Sequence, residues 1–119
     1  MNVAVIGASD NPERYSYKAV KLLAQKNHRV YPIHPKLASI DGHTVFSSLG
    51  AVPDRIDTVT VYVSPEISSS LAGDIISARP SRVIFNPGAE NPALAEQLEK
   101  QGIQTVEACS LVLLTTGRF

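Results

Sequence analysis

The residues best suited to chemistry in this sequence lie in the loop Gly7-Ala8-Ser9, which follows the apolar run VAVI at positions 3–6. A glycine at the end of a strand removes the Cβ where the chain turns, so backbone N–H groups can approach an anion closely. Ser9 adds a hydroxyl donor, and the helix that follows points the positive end of its dipole to the same place. The loop therefore predicts a site for a phosphate or pyrophosphate group.

The same loop departs from the dinucleotide-binding fingerprint G-x-G-x-x-G. It has one glycine where that fingerprint has three, and residues 10–14 (DNPER) extend the chain before the helix. We expect Ser16 to be the N-cap residue of this helix. The motif indicates a phosphate cradle that is longer than a dinucleotide turn.

A second loop, His34-Pro35-Lys36, follows the strand-like run HRVYPI at positions 28–33. In NAD-binding folds the second strand ends near an Asp or Glu that binds the ribose hydroxyls, yet here no carboxylate occurs before Asp41. A cation at this place suits a phosphorylated ribose, as in NADP or coenzyme A. The alternative is that Lys36 is an ordinary solvated surface lysine.

Other reactive side chains give no pattern for catalysis or metal binding. The three histidines, His28, His34 and His43, lack metal-ligand spacing, and one cysteine does not complete a zinc site. The sequence has no G-x-S-x-G nucleophile elbow and no evident acid–base pair. We therefore predict neither a catalytic residue nor a metal, and we interpret Cys109 as a buried small apolar residue.

Composition limits the classes of function. A chain of 119 residues has room for one domain, residues 1–119, and its formal net charge of zero gives no broad basic face for nucleic acid or an anionic membrane. No apolar run is long enough to span a bilayer, and the N-terminus does not resemble a signal peptide. A single cysteine fits a reducing compartment. We expect a cytoplasmic protein without nucleic-acid or membrane partners.

Strand-like and helical segments alternate along the chain. Runs rich in β-branched residues predict strands buried on both faces, at residues 3–7, 28–33, 57–63, 81–86 and 103–108. Helical spacing occurs at residues 15–27, 64–80 and 91–102. This order predicts an α/β fold: a Rossmann-like, doubly wound, mainly parallel sheet of about five strands with helices on both faces.

Two segments have more detailed predictions. In the helix at 64–80, Ser64 is the expected N-cap, Pro65 lies in the first turn, and the inward-facing residues are Ile67, Leu71, Ile75 and Ile76. Residues 35–56 predict a turn at Asp41-Gly42, a short strand at 44–46 and a stub of helix near Leu49. The apolar tail at 110–119 is expected to pack on the sheet or on another subunit.

Loops at the carboxyl ends of parallel strands form the usual ligand site of such sheets. Here those loops contain GASDNPERYS, HPK, SPE and NPGAEN. Gly, Pro, Ser and Asn are common in any α/β turn, so one such loop alone carries little information. Because all four are expected at one edge of the sheet, together they favour a binding site.

Three motifs carry a resemblance to a known family: V-I-G-A-S-x-x-P-x-R at 5–14, Y-P-I-x-P-K at 31–36 and N-P-G-A-E-N at 86–91. The chain resembles the small CoA-binding domain family over residues 3–112. It is similar in fold to the N-terminal CoA-binding domain of succinyl-CoA synthetase α subunits and of ADP-forming acyl-CoA synthetases. The resemblance implies that coenzyme A, or an acyl-CoA, binds at the carboxyl edge of the sheet.

The resemblance also implies roles for individual residues. Those that would face the pyrophosphate are Gly7, Ala8 and Ser9, with Arg14 and Lys18 as nearby cations. Those along the adenosine 3′-phosphate half are Pro32, His34 and Lys36. Those that would border the adenine are Val63, Ser64 and Pro65. Those on the pantetheine side are Asn86, Pro87, Gly88 and Ala89.

The chain departs from the family pattern at two of these positions. His34 stands where the family commonly has Asn before Pro-Lys, and Asn86 stands where it often has Gln before Pro-Gly-Ala. The family often has a cysteine near Cys109, where a thiol could form a mixed disulfide with coenzyme A. We favour the simpler interpretation of Cys109 as a buried apolar residue.

These observations predict a stand-alone module that binds coenzyme A or acyl-CoA without catalysis of its own. A chain of this length has no room for the further domains that carry the synthetase reaction. Two alternatives stay open: a minimal NADP-binding oxidoreductase, and an oligomerisation module with a vestigial nucleotide pocket. The candidate protein partners are a second copy of the chain, forming a homodimer, and a protein that uses acyl-CoA.

Overall fold

A computed structural model describes residues 1–119. The strands are β1 (Asn2–Ile6), β2 (Arg29–Ile33), β3 (Ser39–Ile40), β4 (His43–Thr44), β5 (Thr58–Val61), β6 (Arg82–Phe85) and β7 (Gln104–Glu107). The helices are α1 (Tyr15–Gln25), α2 (Pro65–Ser70), α3 (Ala72–Ala78), α4 (Pro92–Lys100) and α5 (Ser110–Thr115), with a short 3₁₀ helix at Leu49–Ala51. None of the helices is both long and apolar enough to cross a lipid bilayer.

Five strands form one parallel sheet in the order β2-β1-β5-β6-β7. Every residue of β5 is buried, which explains why its sequence, TVTV, does not alternate between apolar and strongly polar side chains. In the interior strand β1, Ile6 pairs with Ile33 on one side and Val61 on the other. The predicted Rossmann-like parallel sheet of five strands is confirmed.

Helices cover both faces of the sheet. Val3 and Val5 point to the face covered by α1 and α5, where they join a core cluster with Val20 and Leu23. Ala4 and Ile6 point to the opposite face, which is covered by α3, α4 and the 3₁₀ helix and holds the larger cluster. Because successive residues of a strand point to opposite faces, β1 contributes to both cores.

The strand order reverses beside β1. From β1 the chain passes through α1 to β2 at one edge, and then crosses back to β5 on the other side of β1. The connection that leaves β1 runs to β2 on one side, and the connection that leaves β5 runs to β6 on the other, which opens a crevice at the carboxyl ends of β1 and β5. This is the switch point at which open α/β sheets bind ligands.

The crossing connection contains a small hairpin of β3 and β4 around the turn at Asp41-Gly42, as predicted. The strand expected at 44–46 is shorter, but Phe46 forms an isolated bridge with Ile33 at the end of β2. This bridge brings residues 46–49 to the edge of the sheet. The helix stub expected near Leu49 is the 3₁₀ helix.

The continuous helix expected at 64–80 is wrong in one respect, because the chain forms two short helices that meet at Leu71. The hydroxyl of Ser70 donates to the Ile67 carbonyl at 2.6 Å, and that of Ser68 donates to the Pro65 carbonyl at 3.3 Å. Serine hydroxyls that bond the preceding turn weaken and bend a helix. The inward orientation expected for Ile67 is also wrong, because its side chain is 51% exposed, while Ile75 is buried as expected.

Helix α1 begins two residues earlier than the expected N-cap at Ser16 would allow. Arg14 is the N-cap residue, and Ser16 lies buried within the first turn. The reason is local, because the Arg14 N–H donates to the Asn11 carbonyl at 3.0 Å and turns the chain into the helix before Ser16 is reached. The apolar tail forms α5, which packs beside α1 and buries Leu114.

Candidate functional site

Residues 7–14, which we call the first loop, separate two cavities at the switch point. The switch-point pocket, about 610 Å³, lies between the first loop, the end of β2, residues 47–49 and the segment from Val63 to Asp74. The helix pocket, about 370 Å³, lies between the first loop, the first turn of α1 and Tyr62. Gly7, Ser9 and Arg14 line both pockets, so the first loop is their shared wall.

Gly7 cannot be replaced by a larger residue without a collision. Its φ angle is +83°, and a Cβ at this position would lie 2.7 Å from Val63 Cγ1 and 3.3 Å from the Tyr62 carbonyl carbon. The glycine thus lets the first loop rest directly on the end of β5. The sequence predicted this glycine for the approach of an anion, whereas the structure gives contact with Val63 as the reason, and the approach of an anion stays a prediction.

Several backbone N–H groups around the first loop have no acceptor within the chain. Those of Ser9 and Asp10 make no hydrogen bond, and those of Tyr15 and Ser16 belong to the open first turn of α1. No side chain caps that turn, and it contains no acidic residue. Unpaired N–H groups and the positive end of a helix dipole favour an anion at this place.

The first loop is held in shape by its own polar side chains. Ser9 Oγ accepts from the Asn11 N–H at 3.0 Å, and Asn11 Oδ1 accepts from the Glu13 N–H at 3.0 Å. These short turns order the loop without using the N–H groups of Ser9 and Asp10. The Ser9 hydroxyl proton and the exposed Arg14 guanidinium are also free for a ligand.

At the end of β2, His34 lines the switch-point pocket and Lys36 does not. The His34 ring accepts backbone hydrogen bonds at Nδ1 from Lys36 at 3.0 Å and from Leu37 at 3.1 Å. Lys36 has an exposed side chain on the outer side of this turn. Pro32 is buried within β2, where its carbonyl accepts from the Phe46 N–H at 2.9 Å.

The segment after β5 contributes one predicted residue to a pocket. Val63 lines the switch-point pocket beneath Gly7. Ser64 and Pro65 are exposed at the start of α2 and lie outside both pockets. Lys18 also lies outside them, on the exposed side of α1, with its ammonium 5.5 Å from the centre of the Tyr15 ring.

Residues 86–91, which we call the asparagine loop, lie outside both pockets. Asn86 is buried, donates to Thr60 Oγ1 at 2.7 Å and to the Val61 carbonyl at 2.9 Å, and accepts from the Ser110 N–H at 2.8 Å. Ala89 is buried in the larger core, whereas Pro87 and Gly88 are exposed. The amide of Asn86 therefore joins β5, β6 and α5 and has little capacity left for a ligand.

The sequence did not indicate several residues that line the pockets. They include Asp10, Asn11, Pro35, Leu37, Ser47, Ser48, Leu49, Ile67, Leu71 and Asp74 in the switch-point pocket and Glu13, Tyr15, Ser16 and Tyr62 in the helix pocket. Residues 47–49 reach the site through the bridge between Phe46 and Ile33, a long-range pairing that no local pattern shows. Ile67 had a visible signal, since it is a large apolar residue near a helix start, but it was assigned to the core.

Charge is unevenly distributed around the site. Arg14 is the cation that lines the switch-point pocket, and Asp10 and Asp74 place two carboxylates there. In the helix pocket, burial raises the pKa of Tyr62 to about 12, and the nearby Cys109 adds to this effect. The Tyr62 hydroxyl is buried near the hydroxyls of Thr60 and Ser110 but makes no hydrogen bond of good geometry within the chain. No cluster of three or more His, Cys, Asp or Glu side chains forms a metal site.

A family model described as a CoA binding domain matches residues 1–115. The chain belongs to this CoA-binding domain family. The match covers nearly the whole fold, including both pockets and the asparagine loop. The resemblance expected from the three sequence motifs is thereby confirmed.

Known relatives of this CoA-binding domain include small proteins of similar length and a much longer ligase. The protein YneT of Bacillus subtilis, which is described as uncharacterized, is 25% identical over 84% of this chain and 74% of its own length. An ADP-forming acetate–CoA ligase of Methanocaldococcus jannaschii is 37% identical over 52% of this chain, but that match spans 9% of the ligase. A crystal structure of an uncharacterized protein superposes with a TM-score of 0.93 at 37% identity, covering 99% of this chain and 97% of its own.

Proposed function

We propose that this domain binds coenzyme A or acyl-CoA at the carboxyl edge of its sheet. The supporting observation is the set of unpaired backbone N–H groups on both sides of the first loop, at Ser9, Asp10, Tyr15 and Ser16. In a CoA-binding domain, these donors suit the pyrophosphate. The exposed guanidinium of Arg14 lies at the same wall and adds a charge that complements it.

The positions of the two pockets indicate how coenzyme A would be oriented in the site. With the pyrophosphate at the first loop, the adenosine lies in the larger switch-point pocket, where Ile67, Leu71 and Leu49 provide apolar surface for the adenine. The pantetheine arm then leaves along the carboxyl edge, toward the exposed Pro87 and Gly88. The 3′-phosphate points to the turn at residues 34–36, so Lys36 contributes charge from outside the pocket.

We further propose that the domain is a binding or regulatory module without its own catalysis. Neither pocket brings together a nucleophile and a general base with a hydrogen bond between them, which is one common arrangement for acyl transfer. The likeness to part of an acetate–CoA ligase favours a role beside a protein that uses acyl-CoA. A homodimer is the alternative assembly, and a cytoplasmic location suits either.

Ligand-dependent melting tests the proposal. A ligand that binds only the folded state adds about 2.7 kcal/mol to the free energy of unfolding at a hundredfold excess over Kd. The melting temperature should rise with CoA and acetyl-CoA, less with dephospho-CoA, and not with NADH. Stabilisation by NADPH without a response to CoA would instead support the oxidoreductase alternative.

Two controls complete this experiment. The variant Arg79→Gln removes an exposed arginine that lies outside both pockets, so it should respond to CoA like the wild type. Acetyl-CoA recovered after long incubation should be intact, because the proposal excludes turnover. If no CoA compound or nucleotide changes the melting temperature, the pocket is vestigial and the proposal is wrong.

A further inference from the structure

Helix α2 has few interactions of its own to hold it in place. It is six residues long, and its N-cap residue, Ser64, makes no side-chain hydrogen bond to the first turn. A helix of this length is unstable alone, and the residue that α2 buries is Ser68, not an apolar side chain. The position of α2 therefore depends on contacts with a neighbouring element.

Asn91, in the asparagine loop, supplies such contacts. Its Nδ2 donates to the Pro65 carbonyl at 3.1 Å and to the hydroxyl oxygens of Ser68 and Ser69, both at 2.9 Å. Its Oδ1 accepts from the Leu94 N–H at 3.1 Å and caps α4. Because a backbone N–H can bond only the oxygen of the amide, the cap turns Nδ2 toward α2. One buried side chain thus joins α2 to the N-terminus of α4.

Helix α2 also forms part of the wall of the switch-point pocket. Ile67 lies within α2 and Leu71 at its end, and both line this pocket. Ile67 is half exposed, so packing in the core does not fix its position. Asn91 itself lines neither pocket. Any effect of Asn91 on a ligand must therefore be transmitted through α2.

We propose that Asn91 is a positioning residue: by holding α2 in place, it preorganises the apolar wall at Ile67 and Leu71 against which the adenine packs. Ordering a loose segment during binding costs free energy, so a wall that is ordered beforehand gives tighter binding. This role rests on the proposed function, because the adenine is part of the same ligand. Asn91 should thus affect the affinity for the adenosine half of coenzyme A and leave the affinity for pyrophosphate unchanged.

Two substitutions weaken the link between Asn91 and α2. Asn91→Ser keeps a side-chain oxygen that can cap α4, but it removes the amide that reaches α2. Ser69→Ala removes one of the three acceptors and leaves Asn91 in place, and because Ser69 is exposed, the fold should tolerate the change. Ser77→Ala is the matched control, since Ser77 is an exposed serine of α3 that lies outside both pockets.

Calorimetric titration with CoA and with adenosine 3′,5′-bisphosphate, which is the adenosine half of CoA, tests this role. Asn91→Ser should bind both ligands about tenfold more weakly than the wild type, and Ser69→Ala about threefold, the range expected for one or two lost hydrogen bonds. Inorganic pyrophosphate, followed by the amide shifts of Ser9 and Asp10, should bind both variants like the wild type. Ser77→Ala should match the wild type with all three ligands.

Hydrogen exchange gives a second measurement that does not depend on a ligand. In Asn91→Ser, the amides of Ser68 and Leu71, which bond carbonyls of α2 and its cap, should exchange about tenfold faster. The amide of Ala95, which bonds the Asn91 carbonyl in the first turn of α4, should exchange at the wild-type rate. An unchanged exchange rate in α2 would show that other contacts hold this helix and would overturn the positioning role.

The titrations separate the positioning role from the proposed function. If the wild type binds neither CoA nor adenosine 3′,5′-bisphosphate, the proposed function fails and the positioning role fails with it. If the wild type binds both, and Asn91→Ser and Ser69→Ala bind them equally well, only the positioning role is overturned. An equal loss of affinity for pyrophosphate would also overturn it, because a general loosening of the fold would then be the cause.

Discussion

The first loop and the asparagine loop both contain Gly, Pro and Asn, but their polar groups are hydrogen-bonded differently. Both follow buried strands, both are rich in Gly, Pro and Asn, and both precede a helix. In the first loop, backbone N–H groups are left unpaired and open to two pockets. In the asparagine loop, the side chains of Asn86 and Asn91 are buried and bonded to neighbouring elements.

The glycines of the two loops show the same difference. Gly7 and Gly88 both have φ angles near +85°, at +83° and +89°. A Cβ on Gly7 would collide with Val63, whereas a Cβ on Gly88 would meet nothing within 4 Å. Turn composition therefore indicates where the chain reverses, and hydrogen bonding and close contacts show whether the turn serves a ligand or the fold.

The largest expected effect is that of Asn86→Ala on stability. The substitution leaves the Val61 carbonyl and the Ser110 N–H without partners in a buried site, which should lower the free energy of unfolding by about 3 kcal/mol. Urea denaturation measures this loss. A loss below about 1 kcal/mol would show that Asn86 is not the structural connector described here.

Gly7→Ala and Gly88→Ala form a matched pair across the two loops. Both place a Cβ at positive φ, but only Gly7→Ala adds a collision, so we expect it to cost about 2 kcal/mol and Gly88→Ala about 1 kcal/mol. Titration with CoA should show a large loss of affinity for Gly7→Ala alone. An equal loss in both variants would contradict the distinction between the loops.

Arg14→Gln should weaken CoA binding about tenfold with little change in the melting temperature of the free protein. Arg14 is exposed and forms no ion pair in the chain, so its charge is not needed for folding. Titrations at increasing salt concentration should show a weaker salt dependence than the wild type. An unchanged affinity and salt dependence would place the phosphates away from the first loop.

Tyr62→Phe should have the smallest effect on the free energy of unfolding, and it should stabilise the protein instead of destabilising it. Its hydroxyl is buried without a partner, so its removal should leave the stability unchanged or raise it by up to about 1 kcal/mol. Burial raises the pKa of Tyr62 from 10.0 to about 12. The stability that comes from keeping its hydroxyl protonated is therefore complete below pH 10 and is lost as the pH rises through about 12. Denaturation at pH 9 and pH 11 should show a smaller alkaline decline in the variant. An identical decline would contradict the assigned pKa.

Much of the fold could be predicted from local patterns, and less of the site. β-Branched runs predicted all five strands of the parallel sheet. Burial on both faces holds for β5, but it is wrong for the edge strand β7, where no residue is fully buried. The break at Leu71 was missed, since it follows serine hydroxyls that bond the preceding turn, and so was the exposure of Ile67. The pocket wall at residues 47–49 depends on the pairing of Phe46 with Ile33, which is distant in sequence.

The positions of individual site residues depend on single hydrogen bonds that the sequence motifs do not show. The motif H-P-K indicates a polar turn after β2, but which of its residues faces the pocket is decided by the bonds from Lys36 and Leu37 to the His34 ring. The motif N-P-G-A-E-N likewise does not show that the side-chain amide of Asn86 is hydrogen-bonded to Thr60, Val61 and Ser110. A local turn decides the position of His34, and hydrogen bonds between distant segments decide that of Asn86.

Mapping of backbone amide shifts by NMR during titration with CoA tests the central claim most directly. We predict that the largest changes occur at Ser9, Asp10, Tyr15 and Ser16, and that inorganic pyrophosphate at higher concentration reproduces them. The amides of Glu90 and Asn91 should change little. The largest changes at residues 86–91, with residues 9–16 unaffected, would contradict the account.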